Sequence, residues 1–112
     1  MAIPKKVLKA LQERDLHCAH CGRTEDLVPH HRKNRGMGGS KLLDTLDNLM
    51  MVCPIYNNMM ESDPKTAQLA RGWKHKLPVW DDTAQPVFDV AGGWWYLDPE
   101  GGKHRVETRE RF

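Results

Sequence analysis

The chain has 112 residues, 39% of them hydrophobic and 29% charged, with a formal net charge of +2. That balance excludes a disordered chain and leaves one soluble globular domain with a modest core, and no apolar run approaches the ~20 residues that span a bilayer. The stretch Met1-Ala2-Ile3-Pro4-Lys5-Lys6 lacks a signal-peptide apolar core, so a cytosolic protein is expected.

Pro4 suits a helix N-terminus, and Val7, Leu8, Leu11 and Leu16 recur at near-helical spacing. A helix over 4–15 is predicted, with Lys5, Lys6, Lys9, Glu13 and Arg14 on its outer face. Residues 17–22 contain Cys18-Ala19-His20-Cys21-Gly22 and predict a knuckle-type turn. Three cysteines are too few, and odd in number, for a disulfide framework, so this spacing points to metal binding or redox chemistry. A redox motif would want a βαβ setting, which the surroundings do not supply. Leu27 to His31 is a short strand candidate, confined to an edge by Pro29.

Residues 32–47 predict a long loop broken by Gly36, Gly38 and Gly39. Arg32, Lys33, Arg35 and Lys41 fall here, and no acidic residue lies between His30 and Lys41, which is a local anion-attracting pattern. Asn48 to Val52 returns as a strand. Pro54 opens a helix that carries Tyr56 to about Ser62, Asp63-Pro64 interrupts it, and a second helical stretch runs to about Arg71. Beyond Gly72 the chain holds Trp73, Trp80, Trp94 and Trp95, with strand candidates at 86–89 and 94–97 joined by a turn at Val90-Ala91-Gly92-Gly93. The tryptophans are expected to form a small satellite core. Thr108 to Phe112 is expected to fray.

The order Cys18-x-x-Cys21-Gly22, His30-His31, a basic Gly-rich loop, Asn48-Leu49, Val52-Cys53, then Asn57 and Glu61, resembles the HNH endonucleases over about residues 17–62. Together with the elements read on either side of that stretch, the resemblance leads to the expectation of an α+β single domain over 1–112. It would have a ββα-metal core, an N-terminal helix, a C-terminal β-hairpin and a Trp-rich extension over about 72–107. It also implies hydrolysis of DNA phosphodiesters by nicking or double-strand cleavage, in phage settings such as DNA packaging or recombination, within the host cytoplasm. By position, His31 is the general base, Asn48 orients it, and His30 and Asn57 ligate one divalent cation. Asn57 stands where the family usually has His, which makes the chain an H-N-N variant. Glu61, four residues on, shares a helix face with Asn57 and is a further candidate ligand. An amide oxygen suits Mg²⁺ or Mn²⁺ better than Zn²⁺, with Ni²⁺ and Zn²⁺ kept as alternatives.

Histidine suits the base role because its ordinary pKa lies near neutrality. The basic loop, through Arg32, Lys33, Arg35 and Lys41, is expected on the DNA backbone, with Lys74, His75 and Lys76 extending that surface. Nothing resembles a base-reading helix, so weak sequence preference is expected. Family members often hold structural zinc with two Cys-x-x-Cys knuckles. Here Cys18, Cys21 and Cys53 are present, but the second knuckle reads Cys53-Pro54-Ile55-Tyr56 and lacks the fourth thiolate. Either His17 or His20 completes a zinc site, or the thiols are small buried hydrophobes. Two rival readings are a non-catalytic zinc-knuckle DNA-binding module and a thiol redox protein built on Cys18 and Cys21. The preferred DNA structure, the metal and the oligomeric state stay open.

Overall fold

A computed structural model describes residues 3–33 and 43–106. Most of the expected basic loop, with Arg35 and Lys41, and the terminus expected to fray lie outside the described residues. Among the described residues the fold is α+β, with three helices and two small antiparallel sheets. No helix among the described residues is long and apolar enough to cross a membrane.

The first helix, α1 (Lys5–Arg14), starts after Pro4 and buries Leu11 completely. Arg14 was expected on its outer face and instead turns inward. Its guanidinium donates to the Leu46 and Leu49 carbonyls at 2.6 and 2.7 Å and pairs with Asp15 at 2.7 Å. The Asp15 carboxylate in turn accepts the Met51 N–H, so one charged pair fastens the helix end to the next sheet.

That sheet pairs β1 (Val28–His31) antiparallel with β2 (Leu49–Val52), from Val28 opposite Val52 to His31 opposite Leu49. All four β2 residues are buried, because β2 separates two small cores. Leu49 and Met51 pack with Leu11 and Leu46 beneath α1. Met50 and Val52 point the other way, to Cys18, Ala19, Cys53, Tyr56, Met60 and Ala70.

Cys53 caps α2 (Pro54–Ser62), its sulfur accepting the Tyr56 N–H, and Pro54 takes the first helical position. Asp63 ends α2 and caps α3 (Pro64–Gly72) by accepting the Thr66 N–H and hydroxyl. The interruption expected at Asp63-Pro64 is therefore a cap.

The last third forms a meander of β3 (Val87–Asp89), β4 (Gly93–Leu97) and β5 (Lys103–Arg105). The hairpin turns at Gly93, whose φ of 86° favours glycine. Trp73, Phe88 and Trp94 form a contiguous aromatic row, with ring centroids 4.8 and 5.4 Å apart. Trp80 is not part of it. At 84% exposed, it departs from the expected satellite core.

Candidate functional site

Adjacent strand residues face opposite ways, and His30 and His31 go to different partners. The His31 Nε2 donates to the Asp44 carboxylate at 2.7 Å, where the Asp44 side chain is 2% exposed and the His31 ring 19%. This bond makes Nε2 the proton-bearing nitrogen, so in the neutral tautomer the lone pair lies on Nδ1. The sequence offered no signal for Asp44, which lies thirteen residues from its partner in a stretch without periodicity.

Asn48 is completely buried and has its side chain fully engaged. Its Oδ1 accepts the Lys33 N–H at 2.8 Å, and its Nδ2 donates to the Lys33 and Leu43 carbonyls. Its own carbonyl accepts the Arg32 N–H at 2.7 Å. One amide thus brings residue 33 against residues 43–48, next to His31.

His30 is buried and donates from Nε2 to the His75 carbonyl at 2.7 Å. Burial pushes its pKa down to about 4, so the ring is neutral at pH 7 with a lone pair on Nδ1. Asn57 is half-buried on α2. Glu61, one turn further, is ion-paired with Lys76 at 2.6 Å, and that hydrogen bond holds its carboxyl below the usual range.

Arg32 does not serve the expected phosphate contact. It is 1% exposed, and its guanidinium donates to four carbonyls, those of Lys74, Asp47, Thr83 and Gln85. The Leu77 N–H returns to the Arg32 carbonyl at 2.8 Å. Being next to a loop does not place a guanidinium in water when carbonyls surround it. His75, expected to extend the phosphate surface, is wholly buried. Its Nδ1 accepts the Tyr56 hydroxyl, its Nε2 donates to the Phe88 carbonyl, and burial pushes its pKa down to about 4. Lys33 and Lys74 are half-buried, and Lys76 holds Glu61.

Cys18, Cys21 and Cys53 come together as a group that could hold a metal ion. Their sulfurs all lie within 4.8 Å of one another, with Cys18 and Cys53 buried and Cys21 exposed. Burial pushes the Cys18 thiol up to about 11. For Cys21, burial also acts upward, but hydrogen bonds from the Arg23 backbone and the neighbouring thiols outweigh it and lower the pKa. Among the described residues no other three His, Cys, Asp or Glu side chains form such a group. His17 is held by Asp89 at 2.9 Å, and His20 stacks flat on Tyr56 at 4.0 Å.

No protein-family model, no curated protein and no solved structure matches the chain.

Proposed function

We propose that the protein is a divalent-metal-dependent endonuclease that hydrolyses DNA phosphodiester bonds, with β1, β2 and α2 as a ββα core of the HNH kind. The observation that carries this reading is the His31–Asp44 pair. A partly exposed strand-end imidazole has one nitrogen held by a buried carboxylate at 2.7 Å and the other left to accept a proton. His31 takes a proton from the attacking water, and Asp44 stabilises the imidazolium that results. Asn48 keeps the loop ends closed beside it.

The resemblance implies a divalent cation, and the chemistry of His30 and Asn57 fits one. His30 is neutral and carries a lone pair on Nδ1, while its other nitrogen is fixed by a carbonyl, as metal-bound imidazoles commonly are. Asn57 adds an amide oxygen suited to Mg²⁺ or Mn²⁺. Bound there, the cation would offset charge on the phosphate and the leaving oxygen. Glu61 would have to release Lys76 to contribute. The cysteine group serves as a separate zinc site that fastens the turn at Cys18 and Cys21 to the start of α2. Lys33, Lys74 and Lys76 supply the phosphate-facing charge, while Arg35 and Lys41 lie outside the described residues.

A non-catalytic DNA-binding module is the second reading. It is favoured by one fact, that the cysteine group is the one metal-capable cluster of three among the described residues. Nicking of supercoiled plasmid with Mg²⁺, Mn²⁺, Ni²⁺ or Zn²⁺, with EDTA and His31→Ala controls, separates the two. The expected result is metal-dependent relaxed product that falls by at least about 100-fold in His31→Ala, with its circular dichroism unchanged. Intact plasmid under every metal, with DNA still bound, would establish the second reading. Undiminished cleavage by His31→Ala would remove this residue from the chemistry.

A further inference from the structure

Among the described residues the cysteine group has three ligands, and no fourth His, Cys, Asp or Glu ligand atom lies within 4.8 Å of all three sulfurs. Cys21 and Cys53 sulfurs are 3.7 Å apart. This matches the edge of a tetrahedral thiolate site, about 3.8 Å when metal–sulfur bonds are about 2.3 Å. The two buried sulfurs are already held by backbone donors, Cys18 by the His20 N–H at 3.4 Å and Cys53 by the Tyr56 N–H at 3.3 Å. Such bonds fix where each sulfur points. Of the side chains considered for a fourth ligand, Tyr56 and His17 are engaged, whereas the buried His20 Nδ1 has no hydrogen-bond partner. The Tyr56 hydroxyl donates to His75 at 2.6 Å, His17 is held by Asp89, and the His20 ring lies parallel to Tyr56.

The side of the group that carries Cys21 is open. Cys21 and Cys53 line a pocket of about 380 Å³ whose other walls include His20, Ile55, Tyr56 and Met59. Ile55 is 62% exposed and Met59 40%, so this wall presents apolar and aromatic surface beside two sulfurs. Closed structural sites take four protein ligands, whereas three protein ligands and an open position mark a site that accepts a ligand from outside.

We propose that Cys18, Cys21 and Cys53 bind one thiophilic dication whose fourth position opens into this pocket. That position exchanges water for a monodentate nitrogen or sulfur donor carried on an apolar body. The inference rests on the metal reading of the cysteine group and is independent of DNA cleavage. Loading replaces three S–H bonds by three metal–sulfur bonds and releases three protons, leaving the three thiolates and the dication with one net negative charge.

Cobalt(II) titration of the metal-free, reduced protein tests it. The expected result is a 1:1 complex with thiolate charge-transfer absorption and intense tetrahedral d–d bands, and three protons released. Imidazole or ethanethiol should then shift those bands saturably. Cys21→Ser, at an exposed position, should weaken cobalt binding by more than about tenfold with the fold retained. His20→Ala should leave both the bands and their shift in place. Absence of a 1:1 complex would overturn the metal reading itself. A tetrahedral complex that neither imidazole nor ethanethiol moves would keep the metal and overturn the open position. Loss of the tetrahedral bands in His20→Ala would do the same, by assigning the fourth ligand to His20.

Discussion

The two faces of β1 are built in different ways. On the His31 face, partners come from nearby in the chain. Asp44 is thirteen residues away and the Asn48–Lys33 bonds span fifteen, and the ring keeps part of its surface in water. On the His30 and Arg32 face, most partners come from 42 to 53 residues away, at Lys74, His75, Thr83 and Gln85, and the polar groups are buried. The first face can meet water and a substrate. The second is a wall that sets the strand's position and tolerates no loose polar group. The strand end that carries His31 therefore depends for its position on residues 74–85, far along the chain.

Acid should reveal the wall most strongly. His30 and His75 have folded pKa values of about 4, below the value of about 6.5 they regain when unfolded. Between those values the unfolded chain binds more protons than the folded one. Stability is then full above about pH 6.5 and falls as the pH drops toward 4, by on the order of 3 kcal/mol for each histidine. Urea melts of the metal-free protein from pH 7.5 to 4.5 measure this. A flat profile would mean that the two rings are not buried as neutral species.

Next in size, Arg32→Met should cost about 3 kcal/mol or more, since the buried guanidinium's hydrogen bonds to four carbonyls are lost. If Arg32 were instead a phosphate contact, thermal stability would hold and only DNA affinity would fall. The smallest effect is expected at Trp80→Ala, where an 84% exposed side chain should change stability by no more than about 0.5 kcal/mol. A larger loss in its thermal melt would place Trp80 in the wall after all.

Much of the framework was legible because apolar runs and proline positions are local signals. Pro54 and Pro64 mark helix starts, and the run Leu49–Val52 is a strand buried on both faces. The sequence was silent where a charged side chain turns to carbonyls contributed by distant residues. Arg14 and Arg32 look like surface residues in any periodic pattern, yet both cross into the interior. β5 is Lys-His-Arg, with no apolar alternation, and it becomes a strand through pairing with β4 alone. In the candidate site, His30, His31, Asn48 and the cysteines could be singled out by residue type and order. Asp44 could not, because its importance lies in one hydrogen bond that spacing does not encode.

The long reach of the wall also sets a schedule for synthesis. A ribosome adds about 5–20 residues per second and releases the N-terminal part first. His30 therefore emerges 45 residues before the His75 carbonyl that will hold it. Through that interval the His30 imidazole lacks its carbonyl and the Arg32 guanidinium has only one of its four, that of Asp47, within the emerged chain. The nascent chain completes this strand end only as residues 74–85 emerge, so a truncated translation product that stops short of them would lack it.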